Sequence, residues 1–336
     1  YFMNDDYAMG VIEECQEIID DAEIIFAEDF EALVNAAEWL TQDEKEAYIS
    51  LNARYINEYI IPSYEDLIDT LESLIGTGIE GMGLHRFDGG REYYARLVQQ
   101  SAGTNRSVDE IFNMLSNQID QWDIELDNLM PSRDHSSLFD QIGDYSTPES
   151  IINNNMEQME GRFPTIDGLE GDYYNVSYLP SFVEGTVGGL YFTTAIDDPM
   201  INNIYYSRSS SGYEFYRVIS HEAVPGHLYQ MVYMLSSDVS NIELRYYLRA
   251  FGEALSALEG WTTYIEGVTS EMAGLSESQA LYLSIFYNQL YAALSCIDIG
   301  IHYYGWDKQD VNEFMISKGL DDTLNIDNYL YQLIDT

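Results

Sequence analysis

A proline and a glycine stand between two histidines of the chain, and this arrangement limits what the surrounding segment can form. The segment from His221 to His227 reads HEAVPGH. On a regular helix, residues six apart are separated by about 600° of rotation, so the two imidazoles would not share a face. The ring of Pro225 would also clash with the carbonyl of His221, four residues earlier. The sequence therefore predicts a helix that breaks or widens at Pro225 and Gly226 and brings His227 back toward His221.

The same segment supplies candidate metal ligands. Two imidazoles and one carboxylate are a ligand set for Zn²⁺ that leaves one position open for water. Glu222, directly after the first histidine, can take the proton of that water. Glu259, which precedes a glycine and a tryptophan, is the candidate third ligand. The alternative is that the histidines lie at helix ends and that Glu222 and Glu259 are solvated side chains.

The charge of the chain excludes some partners. Its 336 residues include 58 acidic and 14 basic side chains, which gives a net charge of −44. Because no basic stripe is present to neutralise phosphates, we expect no nucleic-acid partner. No run of about twenty uninterrupted apolar residues is present, so we expect no membrane span. The chain starts at Tyr1 without a signal-like segment, and the expectation is an exported or cell-surface protein whose leader has been removed.

Apolar periodicity predicts a mainly α protein with a small antiparallel sheet beside the motif helix. The predicted strands are 174–179, 189–194 and 204–206. The predicted helices are 7–20, 28–40, 43–76 with a kink at Pro62, one from about Gly90, 107–130, one from 147, 212–223, 240–268, 276–303, 307–317 and 325–334. We expect an N-terminal helical region over 1–170 and a catalytic region over 171–336, as two lobes of one continuous domain.

The predicted sheet bears on the substrate. A peptide can add itself as a strand to an exposed sheet edge, where main-chain hydrogen bonds give affinity with little dependence on sequence. A sheet edge beside a zinc helix therefore favours a peptide substrate. The alternative is that the sheet only packs over helices. Tyr191 and Tyr206, on the predicted strands, are candidates for lining the substrate cleft.

Three blocks of the sequence resemble the bacterial family catalogued as domain of unknown function 885. The first block is His221 to His227. The second is Glu259, Gly260, Trp261, Tyr264 and Glu266, and the third is Asp298, Gly300, His302, Gly305 and Trp306. The usual chain of that family is longer than this one.

The resemblance implies a helical fold with a cleft, similar in style to zinc oligopeptidases, and a site for one Zn²⁺. It implies that His221, His227 and Glu259 are the ligands and that Glu222 is the general base. Glu266, seven residues after Glu259, falls within about 20° of the same helical face. It can orient a metal ligand by a hydrogen bond without binding the metal itself, or it can be a surface residue.

Asp298 and His302 are four residues apart and can pair on one helix. His302, or Tyr303 beside it, is then a candidate donor to the oxyanion of a tetrahedral intermediate. The alternative is a core pair that ties two helices together. The residues together predict a zinc metallopeptidase that prefers basic or neutral peptides because of the negative charge of the protein. A zinc amidohydrolase acting on other amides, and a zinc-containing binding module without activity, remain open alternatives, and the sequence does not indicate an oligomeric state.

Overall fold

A computed structural model describes most of the chain. The residues described are 5–22, 24–78, 81–132, 145–166, 174–179, 187–192, 202–236 and 255–320, with the single positions 138, 142, 143, 169, 330 and 333. Most of the predicted helix over 325–334 and the first part of the predicted helix over 240–268 lie outside these residues; positions 330 and 333 are described and helical. The structure confirms a mainly helical protein with a small sheet.

Four helices form the N-terminal part of the fold. They are α1 (Asp5–Asp20), α2 (Asp29–Ala36), α3 (Gln42–Tyr55) and α4 (Ile61–Leu74). Thr41 begins α3 with a capping box, in which its hydroxyl accepts from the N–H of Glu44 and the Glu44 carboxylate accepts from the N–H of Thr41. The kink predicted at Pro62 is a π-helical turn, Ile56–Ile60, directly before α4. Pro62 lies at the start of α4, directly after this π-helical turn, and a proline inside a continuous helix is a common cause of such a distortion.

Among the described residues, three helices with defined bounds follow before the sheet. They are α5 (Gly90–Ser101), α6 (Val108–Leu129) and α7 (Pro148–Met159), with a 3₁₀ turn, Leu84–Arg86, before α5. The predicted start of α6 is confirmed, because Ser107 and Glu110 form a capping box. Thr147 caps α7 in the same way. Side-chain hydrogen bonds to the otherwise unpaired N–H groups thus define these helix starts.

The sheet is mixed rather than antiparallel, which corrects the prediction. Its strands are β1 (Tyr174–Tyr178), β2 (Gly189–Phe192) and β3 (Asn202–Tyr206), in the order β1-β3-β2. β3 pairs with β2 antiparallel and with β1 parallel. Residue alternation indicates which face of a strand is buried but not the direction of its neighbour. The chain between β1 and β3 exceeds the dozen or so residues that a parallel crossover requires. β1 and β3 could therefore pair either parallel or antiparallel.

The remaining helices carry the candidate site. They are α8 (Gly212–Glu222), α9 (His227–Ser236), α10 (Leu255–Met272), α11 (Glu277–Ile299), which continues into a π-helical turn (Gly300–Tyr304), and α12 (Lys308–Ser317). The core around the site is formed by apolar side chains of α7, β3, α8 and α9, among them Ile151, Ile204, Tyr216, Ile219 and Leu228. The site therefore lies on elements whose inner faces are fully packed.

α11 is the central helix of the C-terminal part. The stretch Glu277–Tyr304 is long and apolar enough to cross a bilayer by length and composition alone, although the sequence was expected to contain no such stretch. Half of its most apolar window is buried inside the fold, and α11 packs extensively along α6. Both facts are typical of a core helix. The contact joins the two predicted regions, 1–170 and 171–336, whose boundary stays a prediction.

Candidate metal centre

The motif segment turns back on itself between α8 and α9, as the sequence predicts. α8 ends at Glu222, the Val224–Pro225 peptide bond is cis, and α9 begins at His227. Gly226 is required at the turn, because a Cβ atom there would lie 1.7 Å from the carbonyl oxygen of His221. The turn brings the two imidazoles together, with ring centroids 4.9 Å apart and planes at 82°.

Two side chains from other helices hold this turn in place. Asn155 of α7 is fully buried, and its amide donates to the hydroxyl of Ser220 and to the carbonyl of Val224, both at 2.9 Å. Trp261 of α10 donates from Nε1 to the carbonyl of Pro225 at 2.9 Å. These bonds satisfy carbonyls that the broken helix leaves without helical partners. Sequence reasoning missed Asn155, because nothing in the sequence connects it to the motif.

Glu259 joins the two histidines from α10. Its Oε2 lies 3.4 Å from Nε2 of His221, and its Oε1 lies 3.4 Å from Nε2 of His227. The carboxylate thus spans both imidazoles, which is the arrangement expected of a third ligand. Hydrogen bonds from His221 and His227 hold the pKa of Glu259 far below its usual range, although partial burial opposes this. Three of the four side chains predicted for the centre, His221, His227 and Glu259, therefore lie together.

Glu266 stands behind His221 and is buried, so it is not a surface residue. Its Oε1 accepts from Nδ1 of His221 at 2.8 Å and from Nη1 of Arg217 at 2.8 Å. Because Nδ1 is the donor in this bond, Nε2 of His221 is the nitrogen left to face Glu259. Arg217 in turn pairs with Glu214 through a contact of 2.6 Å. Arg217 was not predicted, although it lies four residues before His221 on the same face of α8.

Buried charge also changes the pKa of His221. Burial alone would lower it, but hydrogen bonds to Glu259 and Glu266, with the charges of Glu222 and Glu266, raise it to about 9. Both nitrogens of this imidazole therefore carry a proton at neutral pH.

Glu222 lies against strand β2 of the sheet. It is 8 % exposed, and the backbone N–H of Tyr191 in β2 donates to its carboxylate. Ligand atoms of His221, Glu222 and His227 lie within 4.8 Å of one another. Burial raises the pKa of Glu222, and the two histidines oppose that shift. Gly189 permits this approach, since a Cβ atom there would lie 3.0 Å from Cγ of Glu222.

An open cavity of about 600 Å³ lies in front of His221 and Glu259. Its α11 wall consists of Ser284, Asn288 and Tyr291. Asn288 follows Ser284 by four residues and Tyr291 follows Asn288 by three, so the three side chains share one face of the helix. Sequence reasoning missed all three, and the signal that could have found them is a polar stripe on an otherwise apolar helix.

His302 and Tyr303 lie elsewhere, which corrects their predicted place at the centre. Nδ1 of His302 accepts from the N–H of Leu84 at 3.1 Å, and Nε2 donates to the carbonyl of Leu333. Both ring nitrogens are thus occupied in a buried structural role. About 16 Å of helix axis separates His302 from Tyr291 at the metal cavity. Tyr303 packs 6.4 Å from the ring of Tyr94, in the same remote region.

Asp298 is next to His302 but does not form the predicted close pair with it. Oδ1 of Asp298 is 3.6 Å from Nε2 of His302, beyond hydrogen-bond distance. The hydroxyl of Tyr94 donates to the other carboxylate oxygen instead. The third block of the sequence therefore builds this region rather than the metal centre. Its glycine at 300 is needed because a Cβ atom there would lie 2.0 Å from the ring of Trp306.

The two tyrosines predicted to line the cleft have different surroundings. The ring of Tyr191 lies 6.1 Å from that of His227, and its hydroxyl donates to Asn202 at 2.6 Å. Tyr191 is therefore at the centre. Tyr206 packs against Phe215 at 5.3 Å, and among the contacts of the described residues none joins it to the histidines.

Comparison with known proteins gives a family and two structural neighbours. The model of a family described as bacterial protein of unknown function (DUF885) matches residues 5–331. No curated protein matches the sequence. The fold is similar to that of a "putative lipoprotein" from Colwellia psychrerythraea, with a TM-score of 0.73 and 17% identity over 95% of this chain and 59% of that one.

A second neighbour is a "putative lipoprotein of unknown function" from Shewanella oneidensis, with a TM-score of 0.51 and 14% identity over 98% of this chain and 62% of that one. The chain thus spans about three fifths of the length of both neighbours. At these identities the likeness concerns the fold. Because the family match covers nearly the whole sequence, the chain belongs to the DUF885 family of bacterial proteins.

Proposed function

We propose that the protein is a zinc-dependent hydrolase that cleaves peptide bonds. The observation that carries the proposal is the position of Glu259, whose two oxygens each lie 3.4 Å from the Nε2 atom of a different motif histidine. Three donors from α8, α9 and α10 therefore point at one small volume. Such an arrangement of buried and half-buried ionisable groups at the wall of an open cavity is typical of a functional site.

The donor set fits zinc. Two imidazole nitrogens and one carboxylate are a ligand set of catalytic zinc sites, and a fourth position stays open. Glu266 supplies the carboxylate that commonly fixes the tautomer of a histidine ligand. Zinc held there would act as a Lewis acid toward a carbonyl and would lower the pKa of water.

Glu222 is the general base in this proposal. Its raised pKa favours transient proton uptake, and the N–H of Tyr191 fixes the carboxylate beside both histidines. It takes a proton from the attacking water and delivers it to the leaving amine. Tyr291 replaces His302 as the donor to the developing oxyanion, because its side chain lines the same cavity as His221 and Glu259.

The position of β2 supports a peptide substrate. β2 is an edge strand of the described sheet, and its Tyr191 lies against both Glu222 and His227. An extended peptide laid along this edge would pass the general base. The net charge of −44 favours neutral or basic peptides over acidic ones.

The metal content of the purified protein tests the centre. We expect about one zinc ion per chain by elemental analysis, and loss of that zinc in His227→Ala, because two of three ligands do not retain zinc at nanomolar free metal. His85→Ala is the matched control, since His85 bonds the carbonyl of Ile301 away from the centre, and it should keep the zinc. If the protein without substitutions takes up no zinc even after incubation with the ion, that result would contradict the assignment.

Glu222→Gln tests whether the centre is catalytic. The amide keeps the size of the side chain but cannot take a proton, so we expect turnover of a peptide library to fall by about 10²-fold or more with zinc retained. Glu271→Gln, an exposed change on the same helix as Glu259, should leave turnover unchanged. A preference of the unaltered protein for acidic peptides would contradict the charge argument. Equal turnover by Glu222→Gln would favour a binding module.

Tyr291→Phe tests the oxyanion donor. Loss of the hydroxyl should lower kcat by about 10²-fold with zinc content unchanged, because the hydrogen bond is made mainly in the transition state. Tyr264→Phe removes a hydroxyl from the same cavity and should change kcat less than about twofold. Equal effects of the two substitutions would remove Tyr291 from the mechanism.

Export is the location that we propose for this activity, because both structural neighbours are described as lipoproteins. Fractionation of cells that produce the protein from its natural gene should recover it outside the cytosol. Recovery in the cytosolic fraction alone would contradict export and leave the zinc assignment untouched.

A further inference from the structure

A second large cavity lies away from the metal centre. It has a volume of about 580 Å³ and lies between α5, α6 and the end of α11. Its walls are mainly apolar and include Val98, Met114, Leu294 and Leu333. None of the residues around it lines the cavity in front of His221. A mainly apolar cavity of this size with a few polar groups is the usual form of a small-molecule site.

Asp298 is the acidic group of this cavity. Its side chain is 32 % exposed, and the hydroxyl of Tyr94 donates to one carboxylate oxygen. His302, 3.6 Å from the other oxygen, is the nearest basic side chain. Because Nδ1 of His302 accepts from the N–H of Leu84, that nitrogen carries no proton and the ring is neutral.

The carboxylate of Asp298 therefore has no cationic partner among the described residues. Its two neighbours, Tyr94 and His302, offer a neutral hydroxyl and a neutral imidazole. Burial raises the pKa of Asp298, and the hydrogen bond from Tyr94 offsets this only in part. A half-buried carboxylate in such surroundings is stabilised by an ammonium group that enters the cavity.

Among the described residues that line the cavity, Arg106 is the one with a basic side chain. It is exposed, and its Nη1 contacts the sulfur of Met114 at 2.9 Å. A cationic ligand is repelled from this end, so its charged group is directed toward Asp298. The apolar body of the ligand then lies against the walls around Val98 and Leu294.

We infer that this cavity is a binding site for a small apolar primary amine, with the ammonium on the carboxylate of Asp298 and the alkyl or aryl body against Val98, Met114 and Leu294. This site is separate from the proposed zinc centre and does not depend on it. The class of ligand follows from an acidic group without a cationic partner at the wall of a cavity that is otherwise mainly apolar.

Calorimetric titration with n-hexylamine at 0.15 M salt tests the inference. General attraction of cations to a protein of charge −44 is reduced by screening at this salt concentration. We expect saturable binding at one site, and binding at least tenfold weaker for 1-hexanol, which has a similar chain but no charge. Asp298→Asn should weaken n-hexylamine binding at least tenfold.

Asp69→Asn is the matched control for Asp298→Asn, because it removes the same charge from an exposed position on α4. It should bind n-hexylamine as the unaltered protein does. Val98→Phe keeps every charge and fills the cavity, so it should also weaken binding, which covers the case in which Asp298→Asn fails to fold. Glu222→Gln should bind n-hexylamine normally, whatever its effect on zinc chemistry.

Three results would overturn the inference. One is the absence of saturable n-hexylamine binding by the unaltered protein. Another is an equal loss of affinity in Asp69→Asn and Asp298→Asn, which would mean attraction by the net charge. The third is equal affinity for 1-hexanol and n-hexylamine, which would mean that Asp298 contributes nothing.

Discussion

The hydrogen bonds that hold the turn between α8 and α9 are the interactions on which the rest of the site depends. A chain that leaves a helix at Glu222 and re-enters one at His227 exposes carbonyls without helical partners. Asn155 and Trp261 donate to those carbonyls from two other helices. Because both donors belong to the packed core, the separation of the two histidine rings is fixed by the fold and not by the motif alone.

Three connected charged side chains, Glu266, Arg217 and Glu214, hold His221 in its orientation. Glu266 accepts from both His221 and Arg217, and Arg217 is clamped by Glu214 as well. In a protein with 14 basic side chains against 58 acidic ones, a half-buried arginine between two carboxylates offsets much of their repulsion. The fixed carboxylate then determines which nitrogen of His221 faces the centre. The same contacts therefore orient the His221 ring and offset the repulsion between the carboxylates of Glu266 and Glu214.

The middle and the C-terminal end of α11 contribute to different regions of the molecule. Its middle presents Tyr291 to the cavity in front of His221, while Asp298 lies at the second cavity and His302 anchors the 3₁₀ turn at Leu84. A core helix of this length can connect two sites because its apolar faces are packed along most of α6. The third block of the family resemblance thus belongs to a second region of the protein, with its own packing and its own cavity.

The sequence by itself determined the mainly helical class, the capping box at Ser107, the break of the motif helix and the donor chemistry of His221, His227 and Glu259, because these follow from local periodicity, capping and proline geometry, and ligand type. Only the tertiary structure decided the parallel pairing of β1 with β3, the placement of Arg217 and Tyr291, and the removal of His302 from the centre. Each of these depends on which distant segments pack together, and spacing along one chain carries no information about that.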